Sequence, residues 1–148
     1  MISKIRHVGF VVKDLEVSLN FYEKILGLSI YKRFIEEGDF ISNLTGIDNV
    51  KLEWVKLIIP EGGLIELLQY HSHPDSTYEK KIASNSNKIG CSHVALTIDK
   101  LDDVYNRIIE HKYICKSPPL KSPDGNAKVL YCQDPDGSII ELIEDLKK

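Results

Sequence analysis

Cysteine is scarce in this 148-residue sequence: Cys91, Cys115 and Cys132, no two of them in a CxxC spacing. That argues against a thiolate zinc cluster, and an odd count without a leader predicts reduced thiols, not a disulfide framework. The three read as small buried hydrophobes, with Cys91 placed by alternation on one strand face with His93. No apolar run approaches the roughly 20 residues that cross a bilayer. No charged-then-apolar leader follows Met1, so the expectation is a cytoplasmic protein with no membrane partner. A basic block is also lacking. The 19 Lys and Arg stand against 22 Asp and Glu, for a net charge of −3, which argues against nucleic acid as a partner. The content of 43% hydrophobic and 28% charged residues is that of a globular chain long enough for one domain with a core.

The pattern along the chain repeats. "KIRHVGFVV" (4–12) alternates like a half-buried strand. "DLEVSLNFYEKIL" (14–26) predicts a helix capped by Asp14, striped by Leu15, Leu19, Tyr22 and Leu26, and stopped at Gly27. Strands are expected at 28–35, 50–59 and 63–70. The order restarts at "CSHVALTID" (91–99), with a helix at 101–112 and strands near 113–117, 126–133 and 138–144. "HVGFVVKDLE" (7–16) lies over "HVALTIDKLD" (93–102) without a gap, and Glu66 of "GGLIELL" lies over Glu141 of "DGSIIELI". The chain therefore reads as one α+β domain, 1–148, built from two βαβββ modules: module one 1–70, a polar linker 71–90, and module two 91–148.

Strand alternation separates the faces. His7 shares a face with Gly9 and Val11, opposite Val8, Phe10 and Val12, and His93 shares one with Ala95 and Thr97. Glu66 falls among Leu64, Leu68 and Tyr70, and Glu141 between Ile139 and Ile143. A carboxylate among aliphatic side chains is costly unless paired, hydrated or bound to a metal. Imidazole nitrogen with carboxylate oxygen suits a divalent transition metal. Two His and two Glu on an octahedral ion leave two positions for substrate or water, a catalytic arrangement. The candidate metal ligands are therefore His7, Glu66, His93 and Glu141.

Other residues have plainer readings. "HSH" (71–73) falls in the polar linker, as do Lys80, Lys81 and Lys88, which could attract an anion. His111 suits a helix C-terminus, Asp134 and Asp136 of "DPDG" are turn formers, and Trp54 is either core or a pocket wall.

These features resemble the vicinal oxygen chelate superfamily. The resemblance rests on two βαβββ modules, "HVGFVVKDLEVSLNFYEKILGL" at the front, "IELL" and "IIELIE" at the strand ends, and "DPDG" before the last strand. Glyoxalase I, methylmalonyl-CoA epimerase, extradiol dioxygenases and the bleomycin and fosfomycin resistance proteins belong to it. The resemblance implies curved mixed sheets around a metal cleft, a small-molecule substrate and a homodimer. The ligand set matches glyoxalase I, which implies one divalent metal (nickel, cobalt, zinc, manganese or iron). It also implies a lyase or isomerase that chelates two substrate oxygens and passes through an enediolate or enolate. Glu141, with Glu66 as the alternative, would be the catalytic base. An Arg and an Asn that serve glutathione in similar bacterial glyoxalases are replaced here by Val11 and Tyr70, which counts against glutathione. An epimerase-like enzyme, with Asp48 or Glu53 as an extra base, an extradiol dioxygenase, or a metal-free binding protein of the bleomycin-resistance kind are the alternatives.

Overall fold

In a computed structural model that describes residues 1–78, 85–90 and 93–147, the chain divides into two compact units, Met1–Glu79 and Lys80–Lys148. The first unit holds β1 (His7–Val11), α1 (Leu15–Leu19, continued as a π-helical turn over Asn20–Ile25), β2 (Ser29–Glu36), α2 (Asp39–Thr45), β3 (Leu52–Ile59) and β4 (Gly63–Tyr70). The second holds β5 (His93–Thr97), α3 (Leu101–Glu110), β6 (Leu120–Lys121), β7 (Ala127–Gln133) and β8 (Ile139–Asp145). The sheets have the same order, β1-β4-β3-β2 and β5-β8-β7-β6, with one parallel pair in each. The duplicated α+β reading is thus the observed architecture. Among the described residues no helix is long and apolar enough to cross a membrane.

The bulky face of each sheet carries the helix, as alternation requires. In the first unit Val55, Leu57, Ile65 and Leu67 are fully buried, as are Phe21 and Tyr22 of the helix. Asp14 caps α1, its carboxylate accepting from the amides of Glu16 and Val17 at 2.9 and 3.1 Å. Gly27, at φ +81°, ends the helical run. The π turn makes one correction to the expected stripe: Leu26 donates to the Phe21 carbonyl five residues back, at 3.0 Å. Ile25 is buried and Leu26 only half-buried. In the second unit Leu101, Val104 and Ile108 of α3 are buried together with Leu130, Cys132, Ile140 and Leu142.

The two helices are tied down from the same place in the repeat. The Gln69 side chain accepts from the Leu15 amide at 2.8 Å, and the Glu144 carboxylate accepts from the Lys100 and Leu101 amides at 3.2 Å. Leu15 and Leu101 are equivalent in the repeat, as are Gln69 and Glu144, so one device seats both helices.

Two expectations need correction. The strand expected at 113–117 is a single bridge, Cys115 to Cys132, because Pro118 and Pro119 cannot donate to a ladder. Pairing resumes only in the two-residue β6. Second, α2 has no counterpart in the sequence reading. It buries Ile41 against Val50, Leu52 and Trp54, and its exposed Phe40 and Leu44 blur the amphipathic pattern. After β4 the His71 amide donates to the Lys51 carbonyl at 2.9 Å. Cys91, Lys80 and Lys81 lie outside the described residues.

Candidate functional site

The face of each sheet turned away from its helix carries one His–Glu pair. In the first unit β1 lies parallel to β4, with Gly9 beside Glu66, so His7 stands one pleat away from the carboxylate. Its Nε2 is 3.1 Å from Glu66 Oε2. In the second unit Ala95 lies beside Glu141, and His93 Nε2 is again 3.1 Å from Glu141 Oε2. The small residues matter, since a Cβ at Gly9 would already come within 3.2 Å of Leu68 Cδ1. All four side chains are partly accessible, from 34% at His7 to 12% at Glu66.

A nitrogen and an oxygen that both bind one octahedral ion at about 2.1 Å, at right angles, stand roughly 3.0 Å apart. The 3.1 Å of each pair is a hydrogen-bond or ion-pair distance and is also compatible with that bite. Among the described residues no group of three or more His, Cys, Asp or Glu that could hold a metal ion gathers, so each His–Glu pair by itself offers two ligands.

The strands that face the two glutamates differ. Lys56 of β3 lies directly opposite Glu66, its Nζ 3.4 Å from Oε1. Tyr131 of β7 takes the same place opposite Glu141, its ring 5.1 Å from that of His93. Sequence reasoning missed Lys56. The signal that could have found it is the β3–β4 hairpin "IIPEGGLI" (58–65), whose register pairs position 56 with 66. Trp54 is a core residue, 8% exposed. It is packed with Ile41, Val50 and Leu52 yet shares the face of Glu66, beneath the Lys56 ammonium at 4.5 Å.

Glu53 does not join this face. It pairs with Gln69 on the helix side of the sheet, 8% exposed. Arg33 Nε donates to it at 2.6 Å and His71 Nε2 meets it at 2.8 Å, while Arg33 also holds Glu16 of α1 at 2.7 Å. Burial raises the Glu53 carboxyl, but the bonds from His71 and Arg33 outweigh it and hold its pKa below the ordinary value. Glu53 is thus a structural clamp, and Asp48 is exposed in a turn. Of "HSH", His71 belongs to that clamp and His73 meets the Ser72 hydroxyl. His111 binds the Arg107 carbonyl at the end of α3. Asp134 accepts from the Asp136 and Ser138 amides as a turn former. Lys88 is exposed in a turn.

Comparison with known proteins sets this geometry in a family. The chain is 28% identical over 150 residues to a lactoylglutathione lyase of Schizosaccharomyces pombe, covering 95% of this chain and 47% of that protein. It thus spans about half the length of that relative. It is 27% identical over 143 residues to a probable lactoylglutathione lyase of Synechocystis sp., covering 96% of this chain and 95% of the other. A solved glyoxalase family protein from Bacillus cereus shares the fold with a TM-score of 0.88 at 22% identity, covering 99% of this chain and 97% of that one. The family match itself runs over residues 4–142, through both repeated units, and the chain belongs to the Glyoxalase/Bleomycin resistance protein/Dioxygenase superfamily.

Proposed function

We propose that the chain is a metal-dependent lyase or isomerase of the glyoxalase I type, with one divalent cation held by His7, Glu66, His93 and Glu141. The repeated pair carries this reading. A His–Glu hydrogen bond kept for stability needs no counterpart at the same point of a second module, whereas a four-ligand site needs both. The modules, 1–70 and 91–148, then act as one domain, each supplying half of the ligand set. The names of the two relatives above, a lactoylglutathione lyase and a probable one, support the reaction class. The chelation chemistry of a small substrate fits nickel, cobalt, zinc, manganese or iron.

When bound, the cation would stabilise negative charge that develops on a substrate oxygen. The chain's own residues divide the remaining work. His7 and His93 act as neutral nitrogen donors, and the Tyr131 ring keeps the His93 imidazole in place. A base must reach the proton on the carbon beside the substrate carbonyl. Glu141 takes that role. Glu66 is engaged from two sides, by His7 and Lys56, whereas a tyrosine and not a cation stands across from Glu141. Glu141 is therefore the freer of the two to swing toward substrate.

The test is a screen of metal-loaded protein against glutathione hemithioacetals and acyl-CoA thioesters. On the substrate found, Glu141→Gln should keep its metal and lose roughly a hundredfold or more in turnover, the usual scale for a lost general base. Full turnover in Glu141→Gln beside an inactive Glu66→Gln would move the role to Glu66. A protein that takes up no metal and turns over none of these substrates would be a binding module.

A further inference from the structure

We propose that Lys32 and Lys56 form a seat for an anionic group, a carboxylate or a phosphate, on the small molecule received by the His7–Glu66 face. The proposal rests on the reading of that face as a substrate surface and adds the chemistry it recognises. β2 and β3 place Lys32 directly across from Lys56, and Phe34 across from Trp54. Like charges directly opposite in an antiparallel pair destabilise a sheet, so this arrangement needs a compensating charge. Lys56 has a partial one: Glu66 at 3.4 Å, together with the Trp54 ring at 4.5 Å. Lys32 has less. Its Nζ lies 5.7 Å from the Trp54 centroid and 5.9 Å from that of Phe34. Among the described residues those rings, and no carboxylate, are its partners.

The two ammoniums thus stand over one indole floor, which is 8% exposed, beside a Phe34 wall that is 51% exposed. Glu66 is also a proposed metal ligand. A divalent cation that claims its charge leaves two ammoniums compensated by aromatic faces alone, and an anion between them restores the balance. Lysine suits this task as a mobile point charge with three donors. The remaining strand residues on this face offer no other ammonium, and Val11 and Tyr70 are uncharged. At the equivalent place of the second unit Tyr131 replaces Lys56, so the seat belongs to the first unit alone.

Trp54 is the only tryptophan in the chain, so its emission reports on the seat. The experiment titrates metal-loaded and metal-free protein with sodium phosphate and with sodium acetate, against chloride at matched ionic strength. Calorimetry on the same samples guards against a changed indole baseline. Wild-type protein should show a saturable response to at least one of the two anions. The responding anion distinguishes a phosphate from a carboxylate ligand. Lys32→Gln and Lys56→Gln should each weaken it at least tenfold, Lys56→Arg should restore it, and Lys24→Gln on the helix should leave it unchanged. Metal content is measured in every sample. Full metal with no saturable anion response overturns the seat and leaves the metal site standing, and an equal response in the two Gln variants also overturns it. A lysine-dependent response in protein that takes up no metal supports the seat and sinks the metal reading.

Discussion

Glu53 and Lys56 stand three residues apart on β3 and point to opposite faces of the sheet. Glu53 completes a clamp that joins β2, α1 and the exit of β4 through Arg33, Glu16 and His71. Glu53→Gln should destabilise the protein by about 2 kcal/mol at neutral pH, below the range for a fully buried pair because Arg33 is partly exposed. Urea unfolding checks this. The sign of the pH dependence follows from the lowered carboxyl. The stability it supplies is fully present above the ordinary carboxylate range and is lost as pH falls through its lowered folded value. The variant should therefore lose less stability than wild type on acidification below about pH 4, and equal acid limbs would count against the clamp. Cysteine makes a second residue-scale case. Burial pushes the Cys115 thiol up to about 11 and raises Cys132 further. A thiol with such a value is roughly one part in a thousand thiolate at pH 8, so peptide-resolved alkylation should find Cys115 slow. Labelling at the rate of an unperturbed thiol would contradict this. Of these residues, His7, Glu66, His93 and Glu141 were legible in the sequence because they repeat. Lys32, Lys56 and the role of Glu53 were not, because nothing repeats them and only the β2–β3–β4 register assigns their faces.

Among elements, those with a local signal were legible. Asp14, the apolar stripe and Gly27 announce α1, but the π turn over Asn20–Ile25 has no local signature. The segment 113–117 has strand-like residues, and its pairing is cut short by prolines that follow it. The seating of the helices depends on contacts distant in sequence, Gln69 to Leu15 and Glu144 to Leu101, so it could not be read from either helix alone. Asp14→Ala should cost about 1 kcal/mol, as a lost N-cap does. Glu144→Ala should cost a similar amount, since two amides at the start of α3 lose their acceptor. In a chain of this length each loss lowers Tm by roughly 2–4 °C. A thermal melt of Glu144→Ala that matches wild type would show that α3 is held by its buried Leu101, Val104 and Ile108 side chains alone.

The whole molecule is a repeated plan with unequal halves. Both units keep the strand order, the parallel pair and the His–Glu contact, while among the described residues only the first has a helix like α2 and a lysine opposite its glutamate. We expect a homodimer, from the family resemblance and from apolar surface at the first unit. Tyr31 and Ile35 on the edge strand β2 and Phe40 and Leu44 on α2 are all exposed, and such edges and patches call for cover. Light scattering at micromolar concentration should give twice the chain mass, and a monomer would count against the dimer. The central claim is that two His–Glu pairs serve one cation. Its most direct test is elemental analysis of protein reconstituted with each candidate metal and then desalted. The account predicts about one equivalent per chain in wild type and essentially none in His7→Ala combined with His93→Ala. Unchanged metal content in that double variant, or no stoichiometric metal in wild type, would contradict it.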